Sequence, residues 1–134
     1  MAHDDRKLER VADFTYVFDL PFFRKRFKKD SKAMALLFEL IEKIDGMGYD
    51  VGVSFAFRAH YFDTIKGTNL SLIEVRRFKG TWRVLSYLNS SAQRIVLIDA
   101  FQSHKHKRIF EKLKEDKSRI DQAIFLLDSL EDGG

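Results

Sequence analysis

The sequence predicts an α+β fold: a small curved, antiparallel-rich sheet of about four strands, with an N-terminal helical hairpin on one face and a C-terminal helical segment. Three observations predict it. From Leu72 to Phe101, three runs of Val, Ile, Leu and aromatic residues are separated by turns at Lys79-Gly80-Thr81 and Asn89-Ser90-Ser91. Upstream, Ala33, Met34, Leu37, Leu40, Ile41 and Ile44 recur at helical spacing, with Lys32, Glu39, Glu42 and Lys43 on the other side. After Phe101 helical spacing returns, first in Ile109, Phe110 and Leu113, then in Ile120, Ala123, Ile124, Leu127 and Leu130. Helices on one face would leave the other face of the sheet open to a ligand.

Taken in order, residues 1–12 are polar and read as loosely held or as a short helix start. Phe14 to Asp19 alternates aromatic and β-branched residues and predicts a first strand. Pro21 suits the first turn of a helix, where a missing N–H costs nothing. The short, very basic helix that follows offers Phe22, Phe23 and Phe27 to the core. Ser31 is the expected N-cap of the second helix of the hairpin, and Gly46 and Gly48 end it. Residues 49–70 are interrupted by Gly52, Gly67 and Asn69 and read as a loop or short extended segment closed by a turn at 66–69. In the C-terminal part, Ser118 with Asp121 resembles a capping box, so the helix is expected to break near Ser118. Glu131 to Gly134 reads as a frayed end.

Composition sets the limits. A chain of 134 residues fits one domain, 1–134, large enough to bury a core without staples. Hydrophobic residues at 45% and charged residues at 33% exclude a disordered class, and thirteen Phe imply a core built on aromatics. With no Cys, disulfides, thiolate metal sites and Cys nucleophiles are excluded. No apolar run reaches the roughly 18 residues of a membrane span, and the N-terminus lacks a signal-peptide core. A cytoplasmic protein without a membrane partner is the expectation.

The net charge is +4, and cations gather at the ends of the central strands: Arg76, Arg77, Lys79 and Arg83, then His104, Lys105, His106, Lys107 and Arg108. A sheet rimmed with cations suits phosphate, and arginine suits it best, because its planar fork stays charged and matches two phosphate oxygens. Two readings of these arginines stand side by side. Arg76 and Arg77 are adjacent, so in a strand they face opposite sides. Arg83 either clamps phosphate or pairs with Glu74 across the hairpin. Trp82 reads as a sheet or core residue. The His104–His106 spacing lacks a third local ligand, so no metal and no cofactor is expected. The basic run Arg24 to Lys29 reads either as a contact for ribosomal RNA phosphate or as a solvated outer face.

The succession KGTNLSLIEVR, the hairpin FKGTWRVLSY and the strand RIVLIDAFQ followed by lysines resembles the RelE/HigB-like toxins of bacterial toxin–antitoxin pairs. The resemblance runs over about residues 14–130, with its core between Ile65 and Lys107. It implies a single RelE-like domain that binds mRNA in the ribosomal decoding site and cleaves it, with a cognate antitoxin covering that surface. By position, Arg76 matches the arginine ending the family's Glu-aliphatic-Arg strand. Arg83 matches the arginine after the hairpin's aromatic residue, and His104 lies where some subfamilies place a histidine. The resemblance thus implies Arg83, Arg76 and His104 as catalytic residues. The cation chemistry adds Lys79 in support and RNA contacts from Arg77, Lys105, His106, Lys107 and Arg108. No tyrosine stands next to His104, and the segment after Phe101 is longer than usual. Members of the superfamily without the catalytic set include gyrase-directed ParE-type inhibitors. A non-toxic RNA-binding remnant of the same fold is the third alternative.

Such a site needs no metal. The RNA's own 2′-OH attacks the adjacent phosphate, a base removes its proton, and cations hold the charge that builds on phosphorus. An acid then protonates the leaving 5′-oxygen. Arg83 and Arg76 fit the charge-holding task, with Lys79 in support. Histidine titrates near neutrality, so His104, with His106 beside it, fits the proton transfers.

Overall fold

The computed structural model describes residues 6–78, 80–102 and 107–130, with the backbone alone for 107 and 108. The chain enters through a hairpin of strands, β1 (Leu8–Arg10) and β2 (Thr15–Phe18). Three helices follow: α1 (Leu20–Arg26), α2 (Ser31–Gly46) and α3 (Tyr49–Arg58). Four more strands come next: β3 (Phe62–Thr64), β4 (Leu70–Val75), β5 (Trp82–Asn89) and β6 (Arg94–Gln102). Helices α4 (Lys107–Glu115) and α5 (Lys117–Asp128) close the order.

The sheet has six strands in the order β1-β2-β6-β5-β4-β3. It is mixed, because β2 runs parallel to β6 while the other neighbours are antiparallel. The expected sheet of about four antiparallel-rich strands behind an N-terminal helical hairpin is therefore corrected. Strands come first, and three helices, not two, lie between β2 and β3.

Each departure has a local cause. β1 is a three-residue edge strand whose side chains stay half exposed, so it carries no apolar alternation to read. Its order comes from pairing with β2, Leu8 opposite Phe18. Gly52 in the segment read as a loop sits inside α3 and is buried there. A Cβ at that position would collide with the Ile44 carbonyl oxygen of α2, so Gly52 is what lets α3 lie against α2. At the start of α2 the N-cap is Asp30, not Ser31; its carboxylate accepts from the Ala33 N–H.

Both faces of the sheet are covered. On one, Val17, Ile73, Val75, Trp82, Val84, Ile95, Leu97 and Ala100 pack against Phe23, Phe27, Leu37, Ile41 and Ile44 of the first helices and the turn after α1. On the other, Phe18, Leu72, Leu85, Val96 and Ile98 pack against Ile120, Ala123 and Leu127 of α5. The open face expected from the sequence is thus closed over much of its area. What remains is a cavity near the β4–β5 hairpin, beside α4. No helix among the described residues is long and apolar enough to cross a membrane.

Candidate functional site

The β4–β5 ladder sets Glu74 directly opposite Arg83, one pair short of the strand end at Val75–Trp82. Arg76 follows β4 at once. The Glu74 carboxylate lies between the two arginines, 3.9 Å from Arg83 Nε and 4.0 Å from Arg76 Nη2. Arg76 is largely in solvent, its side chain 73% exposed. Arg83 is sunk to 18%, and its Nε and Nη1 are buried with no hydrogen-bond partner. A buried N–H without an acceptor typically costs about 1–3 kcal/mol, more when the group is charged.

Arg83 and Glu74 form part of the wall of a cavity of about 230 Å³. Asp63, Thr64, Ile65 and Lys66 line it from β3 and the segment after it, Leu72 from β4, and Ile109 and Phe110 from α4. Phe110 is 61% exposed at its edge. An apolar hollow with a few converging charged groups is the usual form of a ligand site.

The sequence-derived set divides. Arg76 and Arg83 come together through Glu74. Arg77 turns elsewhere: its guanidinium binds both oxygens of Asp30, at 3.3 and 3.1 Å, and the Trp82 indole donates to the same carboxylate at 3.0 Å. The Arg77 hydrogen bond is the main cause that holds Asp30 below its usual range. Arg77 therefore ties the hairpin to the N-cap of α2, and Trp82 is a core residue against Phe27, ring centroids 4.5 Å apart. Lys79, His104, Lys105 and His106 lie outside the described residues. Lys107 and Arg108 begin α4. Among the described residues, no three His, Asp or Glu side chains converge where a metal ion could sit.

Below the cavity, a buried charge cluster seats α4 that sequence reasoning missed. Asp99 on β6 is fully buried. Arg26 grips both its oxygens, at 2.8 and 3.1 Å, and Lys112 of α4 reaches it at 2.8 Å. Lys112 also lies 3.4 Å from Asp116, between α4 and α5. Arg119 of α5 binds Asp19 at 3.2 Å and the Ile98 carbonyl at 2.9 Å. Burial alone would raise the Asp99 carboxyl, but hydrogen bonds from Arg26, Asp116 and Lys112 outweigh it and hold the group at about 2. Burial and the adjacent Asp99 push Asp116 up to about 6. A signal was available: an Asp inside the apolar run Arg94–Phe101 demands a cationic partner.

Compared with known proteins, the chain gives no significant match to any family model, curated protein or solved structure.

Proposed function

We propose that this chain is the toxin of a type II toxin–antitoxin pair, an mRNA endoribonuclease of the RelE/HigB-like kind acting on the ribosome without a metal. One observation carries the reading: Arg83 lines a cavity and holds two buried nitrogens without a hydrogen-bond partner, and Arg76 stands on the other side of the same Glu74 carboxylate. Strand β2, helices α1 and α2, and strands β4, β5 and β6 occur in that order, with α3 and β3 between α2 and β4.

In this reading RNA lies across the hairpin end, its scissile phosphate near Arg76 and Arg83. The 2′-oxygen forms a bond to phosphorus, and the bond from phosphorus to the 5′-oxygen breaks. The products are a 2′,3′-cyclic phosphate and a 5′-hydroxyl. The arginines hold the charge of the phosphorane. In this proposal His104 serves the proton transfers, and Lys79 and the cations Lys105 to Arg108 serve the RNA backbone. The partners are mRNA, the ribosome and a cognate antitoxin, in the cytoplasm.

The test is controlled expression followed by primer extension on cellular transcripts. Growth arrest with cuts inside codons and 5′-hydroxyl ends is expected. Arg83→Ala should lower cleavage by about a hundredfold, the usual worth of one fixed donor at developing charge. Arg76→Ala should cost less, since solvent screens that side chain. Intact transcripts beside a DNA-damage response would replace this reading with the ParE-type inhibitor. Intact transcripts with normal growth and retained RNA binding would indicate the non-toxic remnant.

A further inference from the structure

Two carboxylates stand in the lining of the cavity beside Arg83, and phosphate chemistry gives them no task. Asp63 and Glu74 oppose an anion, and together they balance Lys66 and Arg83. Acceptors placed there call for a ligand that brings hydrogen-bond donors. Apart from Thr64, the remaining lining is apolar, with Leu72, Ile109 and Phe110 among it, and Phe110 keeps 61% of its surface exposed. A planar group with apolar faces and a donor-rich edge satisfies both halves of the lining.

We infer that this cavity takes a nucleobase of the RNA, guanine in preference to the others, with Glu74 accepting from its edge and Phe110 lying against its face. The inference rests on the reading of RNA as substrate and deepens it. Guanine is the base whose pairing edge offers two parallel donors, N1–H and the N2 amino group, beside the O6 acceptor. One carboxylate matches that pair of donors with its two oxygens. Adenine and cytosine offer one amino donor beside a bare ring acceptor. Uracil offers a single N–H between two oxygens, and a carboxylate repels both. Enzymes that act on an unstacked base read it in this way, by hydrogen bonds to its pairing edge and by stacking. The ladder fixes the Glu74 backbone opposite Arg83, and its carboxylate is held between Arg83 and Arg76 at 3.9 and 4.0 Å.

The experiment titrates the full chain with 5′-GMP, AMP, CMP and UMP at one salt concentration, by calorimetry or NMR. GMP should bind about tenfold more tightly than CMP or UMP, with AMP between, in line with the worth of one good bidentate pair. Glu74→Gln, which keeps the shape and replaces one acceptor with a donor, should bring the four within about threefold of one another. Phe110→Ala should weaken GMP several-fold, and with its side chain exposed it keeps the fold intact. Equal binding of all four, no binding at millimolar concentration, or selectivity unchanged in Glu74→Gln overturns the inference. If Glu74→Gln does not fold, Phe110→Ala decides, and unchanged GMP affinity overturns it. Selective GMP binding without transcript cleavage would leave the base site standing and remove the nuclease. Cleavage without guanine preference would do the reverse.

Discussion

At the scale of single residues, parity decides which arginine does what. Counting on from β4, Glu74 and Arg76 share one parity and Arg77 the other, and the ladder carries Glu74 to Arg83. Counting across the hairpin was enough to foresee the Glu74–Arg83 pair. It could not foresee Asp30 arriving from α2 to claim both Arg77 and Trp82, because that contact spans 47 residues of chain. The same limit applies to Gly52, whose neighbours Val51 and Val53 gave no sign of helix and whose own presence argued against one. Only the approach of α3 to the Ile44 carbonyl explains it. Gly52→Ala tests this. Helix propensity alone would favour alanine by roughly 0.8–1.0 kcal/mol. The collision is with backbone, which cannot swing aside, so the variant should instead lose about 3 kcal/mol in urea unfolding, the upper range for overpacking. A gain in stability would show that α3 does not lie against α2 in this way.

At the scale of elements, α4 is held both by Ile109 and Leu113 against the second core and by charge. Lys112 anchors it to Asp99 and Asp116, while Phe110 remains exposed. Because α4 supplies Ile109 and Phe110 to the cavity, this seat sets the shape of the proposed RNA site. Its stability must depend on pH in two opposed ways. Asp99, held low by its cations, stabilises the fold above about pH 4, and that contribution is lost as pH falls through about 2. Asp116, raised by burial and by Asp99, stabilises it below about pH 4, and that contribution is lost as pH rises through about 6. At neutral pH Asp116 is therefore a liability on the order of 1–3 kcal/mol. Asp116→Asn keeps a donor for Asp99 and removes the second negative charge. It should stabilise the protein by about 1–2 kcal/mol at pH 7.5 and by little at pH 4.5, measured by urea unfolding at both. An equal effect at the two pH values would show that the two carboxyls do not share a proton.

At the scale of the whole molecule, the sequence displayed its local patterns and hid its long-range ones. The meander was legible because turn residues punctuate three apolar runs. The helix α2 was legible from its spacing, and the break between α4 and α5 from the polar stretch around Ser118. The edge strands β1 and β3, three residues each, were not, since short edges are ordered by a partner and need no pattern of their own. The closing of the second sheet face by α5 was equally hidden, although the apolar stripe of α5 was plain; a stripe does not say which face it meets. Charge shows the same division. Arg24, Lys25, Lys28, Lys29 and Lys32 are all exposed and form no ion pair among the described residues. They form one of the chain's basic clusters, beside those at the ends of the central strands. A cluster of this kind either meets polyanion or is simply hydrated, and salt distinguishes the two. Each phosphate contact on single-stranded nucleic acid contributes about 0.7 to the slope of log K against log salt. Replacing Lys25, Lys28 and Lys29 by Gln should therefore lower the slope for RNA by about 2 if all three touch phosphate. The melting temperature should not change, because no ion pair is lost. A slope identical to that of the parent protein would mark the patch as solvated surface and leave the cavity beside Arg83 as the proposed RNA site.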